Sequence, residues 1–117
     1  MKMNQLANKV IIGGLMDINE LTKEMYQFVR SKGWLEEDSK RPQTLKNLAI
    51  SLNLESSEVL EHFQWSDEMP DKEKFESELA DVMLYLLQLA SLSDIDLEKA
   101  VIKKLKLNYG RQWDHDK

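Results

Sequence analysis

A chain of 117 residues, 42 % apolar and 32 % charged, has the length for one domain and the apolar content to bury a core. Its net charge of −5 sets aside a general surface for nucleic acid or anionic membrane, and any nucleotide site must bring its own cations. Cysteine is absent, which excludes disulfides, thiol catalysis and Cys-ligated zinc and fits a reducing cytoplasm, the compartment expected here. With two prolines, four glycines and one β-branched run, Val10-Ile11-Ile12, the chain reads as all-α, a bundle of four to five helices forming one domain over residues 1–117.

Residues 1–14 read as an N-terminal arm, in which Leu6, Val10 and Ile11 form at most a short helix broken at Gly13-Gly14. Its apolar run is too short to span a bilayer, and no signal peptide is recognisable. From the N-cap Asp17 to Arg30, the spacing of Ile18, Leu21, Met25, Phe28 and Val29 predicts an amphipathic helix closed by Gly33. Trp34 follows, either as a core anchor at the helix end or as a platform on which a base stacks. A charged loop runs from Leu35 to Pro42. Thr44 then caps a second helix expected to reach Phe63, with an apolar stripe that includes Leu45, Leu48, Leu52, Val59 and Leu60.

A turn with Pro70 near its end leads to a third helix, Lys72 to Ser91, with Leu79, Val82, Leu86, Leu89 and Ala90 as its stripe. Asp96 caps the last helix, where Leu97, Val101, Ile102 and Leu105 are core candidates. Lys104, Asn108 and Arg111 fall at i, i+4 and i+7 on that helix and project from one face. Such a face can hold phosphate oxygens, or it can be a solvated cationic helix end that suits the macrodipole. Residues 114–117 are expected to be a disordered tail.

The chemistry lies in two acidic pairs, Glu55 with Glu58 and Glu78 with Asp81. Residues three apart share a helix face, so each pair presents two carboxylates to one side. All four run along the edge of an apolar stripe, where a carboxylate is expensive unless paired or metal-bound. Facing each other, they would repel unless a cation sat between them. Oxygen-only ligands point to Mg²⁺, with Mn²⁺ as a substitute. There is no P-loop or GxGxxG pattern, and His62 and His115 are too few for a His-rich zinc site or a Ser-His-Asp triad. A di-iron bundle needs Glu-x-x-His on two helices, and Glu58-x-x-x-His62 has the wrong spacing and no second copy.

The order of these motifs resembles the MazG-like all-α nucleotide pyrophosphohydrolases, most closely their dCTP pyrophosphatase branch. The marks are Asn47-Leu48-Ala49, Glu55-x-x-Glu58, Phe63-Gln64-Trp65, Glu78-Leu-Ala-Asp81-Val-Met-Leu-Tyr85 and the series Lys104, Asn108, Arg111, spread over about residues 21 to 113. The resemblance implies cleavage of a (d)NTP between the α and β phosphates, giving the monophosphate and pyrophosphate in nucleotide-pool cleansing. It implies that Glu55, Glu58, Glu78 and Asp81 form the catalytic metal site, with Glu55 the candidate base for the attacking water. Lys104, Asn108 and Arg111 would contact phosphates, and Trp34, Trp65 and Tyr85 would line the base pocket. It implies a homo-oligomer, most simply a dimer of dimers with sites at subunit boundaries, and neither nucleic acid nor membrane as partner.

Three positions depart from the pattern. Leu54 stands where the broader family often has a further Glu, Met25 where the dCTP branch has a histidine, and the loop from Trp34 to Asn47 is longer. Two rival readings remain: an all-α diphosphatase of the dUTP/dUDP type, and a non-enzymatic helical module whose acids are a solvated face.

Overall fold

The structure, a computed structural model, describes residues 15–114. The expected arm at 1–14 and residues 115–117 of the expected tail lie outside these described residues. Four helices follow one another: α1 (Ile18–Ser31), α2 (Leu45–Glu61), α3 (Lys72–Leu92) and α4 (Leu97–Tyr109), with no strand among the described residues. No helix among them is long and apolar enough to cross a membrane.

Every helix begins on a side-chain cap, which is why the starts were readable from sequence. Asp17, Thr44, Asp71 and Asp96 accept hydrogen bonds from the backbone N–H groups of Glu20, Asn47, Lys74 and Lys99 at 2.8, 3.1, 3.2 and 3.1 Å. Two helix ends turn through the left-handed region. Gly33 does so after α1 at φ 73°, and Asp94 does so after α3 at φ 56°. At Asp94 the N–H of Ile95 donates to the carbonyl of Ala90 at 2.9 Å, the bond that closes a Schellman turn. α2 ends at Glu61, before the expected Phe63, because His62 takes the cap position and the chain enters the turn there.

The most extensive packing joins α2 to α3; α1 lies on α3, and α4 leans on α1. Met25 and Val29 of α1 bury against Leu87 of α3, with Ile18, Trp34, Met83 and Leu97 packed around them. Leu48 is the buried residue of α2. Met25, the position of the missing histidine, is thus a core residue.

The expected core of α4 is corrected by this arrangement. Leu97 reaches the core, but Val101, Ile102 and Leu105 are 44, 48 and 53 % exposed. Among the described residues α4 packs chiefly on α1, and so light a contact covers only one edge of its apolar face. Leu45 and Leu60 of α2 and Leu79 and Leu86 of α3, all expected in stripes, are exposed as well.

Candidate active site

The pairing of α2 with α3 decides which side chains meet. Glu55 and Glu58 of α2 come together with Glu78 of α3, while Asn47 and Ser51, nearer the start of α2, share a cavity with Tyr85, nearer the end of α3. The two helices therefore run antiparallel, and the acids and the cavity occupy successive stretches of the same helix pair. Along α2 the cavity residue Ser51 precedes Glu55 by one turn, about 6 Å.

One carboxylate oxygen from each of Glu55, Glu58 and Glu78 lies within 4.8 Å of the other two. Burial pushes the Glu55 carboxyl up to about 7, helped by a hydrogen bond to Glu58 and by the negative charges of Glu58, Asp81 and Glu78. Glu78 is also raised, first by its hydrogen bond with Glu58, then by burial and by the charges of Glu58 and Asp81, while His62 pulls it back. Glu55 Oε2 and Glu78 Oε2 are buried without any hydrogen-bond partner. Half-buried Asp81, a turn after Glu78, acts on both through its charge but is not part of the close trio.

These features fit a hard divalent cation. The donors are all oxygens, two of them are buried and unpartnered, and the chain holds them together against repulsion that a cation would relieve.

The cavity has a volume of about 300 Å³ and is walled by Trp34, the loop residues Lys40, Arg41, Pro42 and Gln43, the α2 residues Asn47, Leu48, Ile50 and Ser51, and Tyr85 of α3. Trp34 stands between the core and the cavity. It packs on the core, edge-to-face with Phe28 at 5.7 Å and 73°, and it also walls the cavity. The loop is fastened by its own side chains. Arg41 N–H donates to Ser39 Oγ at 3.0 Å, Gln43 Nε2 to the Arg41 carbonyl at 2.5 Å, and Asn47 Nδ2 to the Pro42 carbonyl at 2.9 Å. Gln88 Nε2 of α3 donates to Gln43 Oε1 and ties the loop to the bundle.

The structure leaves other expected site residues apart. Trp65 stands in the turn after α2, 90 % exposed, and does not line the cavity. Lys104 and Arg111 are exposed, and the Arg111 guanidinium lies 4.1 Å from the centre of the Trp113 ring. Asn108 is half-buried, with its Oδ1 buried and unpartnered. All three belong to the segment that leans on α1, whereas the acids sit between α2 and α3.

Sequence reasoning missed Asn47, Ser51, Arg41 and Gln43 as cavity residues. Asn47 and Ser51 had a signal, since they continue the face of Glu55 at spacings of four. Arg41 and Gln43 sit in a loop, where periodicity says nothing.

Residues 50–117 match the family model described as the MazG-like family. Mouse dCTP pyrophosphatase 1 is 35 % identical over 106 residues, covering 83 % of this chain and 58 % of its own length. The human protein of the same name is 33 % identical over 110 residues, 86 % of this chain and 60 % of its own. The chain thus spans somewhat under two thirds of these relatives. Among solved structures, a pyrophosphatase from Archaeoglobus fulgidus superposes with a TM-score of 0.69 at 32 % identity, covering 89 % of this chain and 96 % of that one.

Proposed function

Taking as premise that the chain belongs to the MazG-like family, we propose that it is a Mg²⁺-dependent nucleoside triphosphate pyrophosphohydrolase. It cleaves a (d)NTP between the α and β phosphates and yields the monophosphate and pyrophosphate. One observation carries this reading. Three carboxylates gathered within 4.8 Å, two with buried unpartnered oxygens, sit between the same two helices that wall an aromatic-lined cavity a turn away along α2.

Glu55, Glu58 and Glu78 would hold the ion, with Asp81 a turn beyond Glu78 completing the set, and Mn²⁺ would substitute for Mg²⁺. When bound, the ion neutralises charge on the phosphates and lowers the pKa of water beside it. Glu55, the acid of the site that lies nearest the cavity along α2, is the candidate base for the attacking water. Trp34 and Tyr85 flank the base, which places the phosphates about one or two helical turns away, on the acids.

Lys104, Asn108 and Arg111 contact phosphates, and Trp65 reaches a base, when copies of the chain assemble. The exposed apolar faces of α2 and α4 favour such a homo-oligomer, a dimer of dimers. The names of the mammalian relatives favour a deoxynucleotide with a cytosine-like base; the role proposed with it is nucleotide-pool cleansing in the cytoplasm.

The test is product analysis on a panel of dNTPs and NTPs with Mg²⁺ or with EDTA. Monophosphate and pyrophosphate should appear only with the metal. Release of single phosphates, turnover of dUDP, or undiminished turnover in EDTA would each sink the proposal, and dUDP turnover would put the diphosphatase reading in its place.

A further inference from the structure

The cavity wall contains two cations, Lys40 and Arg41, and no acid, although the same helix pair turns strongly acidic one helical turn away. Arg41 is the better placed of the two. Its guanidinium carbon lies 5.8 Å from the centre of the Trp34 ring. A guanidinium held over an aromatic face keeps its in-plane N–H groups for other acceptors. The backbone at Arg41 is fixed on both sides, through Ser39 Oγ and Gln43 Nε2, so the side chain projects from a built loop.

We propose that Arg41 is a specificity-determining residue, a fork of parallel N–H donors that selects a base offering two adjacent acceptors. The inference rests on reading the cavity and the acids as a nucleotide site. Cytosine presents O2 beside N3, and guanine presents O6 beside N7. Thymine and uracil place an N–H donor between their two carbonyls, and adenine sets its amino donor beside both N1 and N7, leaving N3 a single acceptor. Two parallel N–H donors are satisfied by the first two bases and only half-paired by the others; because Arg41 is exposed, the difference is the one charge-assisted hydrogen bond gained. Asn47 adds the complement. Its Nδ2 is committed to the Pro42 carbonyl, so its Oδ1 remains an acceptor at the same cavity, suited to an exocyclic amine such as that of cytosine.

The experiment measures binding of dCMP, dGMP, dAMP and dTMP to the full chain by tryptophan fluorescence, for wild type, Arg41→Ala and Arg41→Lys. Wild type should favour dCMP and dGMP. Arg41→Ala should weaken these two about 10-fold, within the range of one bidentate base contact, and change dAMP and dTMP less than about 2-fold. Arg41→Lys should not restore the preference, because an ammonium is a point charge. A loss equal across the four bases would assign Arg41 to phosphate or to loop closure and overturn the inference, as would unchanged affinities or a wild type that binds no nucleotide. The readout needs no hydrolysis. A chain that shows this base pattern but releases no pyrophosphate would lose the hydrolase reading and keep Arg41 as the base reader.

Discussion

The two halves of α3 solve opposite problems. Its N-terminal half carries Glu78 and Asp81, with a raised carboxyl and a buried, unpartnered oxygen; its C-terminal half carries Leu87, 1 % exposed, and Ala90, 7 % exposed. One half stores repulsion and the other buries apolar surface, and a continuous helix joins them. Stability generated around Leu87 holds the acids in an arrangement they would not adopt alone. If that division is right, substitutions in the two halves should fail in different ways.

The largest effect is expected on activity at the acidic end. Glu78→Gln should lower turnover about 1000-fold, the several kcal/mol that a metal contributes to phosphoryl transfer. Thermal unfolding without metal should stay level or shift upward, since a charge is removed from a crowded site. A drop in the melting temperature would show that Glu78 supports the fold, and the comparison would break. Next comes Leu87→Ala, which should cost about 3 kcal/mol in chemical denaturation through the cavity it opens. Molecules that remain folded at low temperature should keep wild-type kcat.

The comparison itself was only partly readable in the sequence. The acidic spacings and the caps Asp17, Thr44 and Asp96 announced themselves, because a helix converts sequence interval directly into direction. The stripe expected on α3, however, included the exposed Leu79 and Leu86 and omitted Leu87, its most buried residue. Which apolar residues are covered did not follow. Val101, Ile102 and Leu105 have the same periodicity as a core face, yet they are exposed, because among the described residues α4 packs chiefly on α1. Periodicity reports which residues share a side, not whether a neighbour exists to cover that side. The cavity escaped for a related reason, since half of its wall comes from a loop. Trp34 was undecidable between core and surface cavity because it packs on the one and walls the other.

A smaller effect follows from pH. Glu55 stands at about 7 in the folded chain against 4.5 ordinarily, so between these values the folded state holds a proton that the unfolded state has released. Metal-free stability should therefore fall as pH rises through that window and recover on acidification, by about 1 kcal/mol once solvent screening of this half-exposed group is allowed for. Denaturation midpoints from about pH 5 to about pH 8 should show this slope in wild type and lose it in Glu55→Gln. A slope that survives the substitution would move the stored repulsion elsewhere. The smallest effect is at the far end of the helix. Asp94→Gly should add about 0.5 kcal/mol, the relief of left-handed strain less the chain entropy that glycine brings. An equal or lower midpoint would mean the aspartate earns its place through a contact rather than tolerating its conformation.

The fastened loop has a consequence for inheritance. Its bonds run through the side chains of Ser39, Gln43, Asn47 and Gln88, and through the backbone of residues 41 and 42, but not through the Arg41 side chain. A single codon change at position 41 therefore alters what the cavity accepts without unfastening the loop that forms it. Lineages facing different nucleotide pools could drift in preference at this position while α1 to α3 stay as they are.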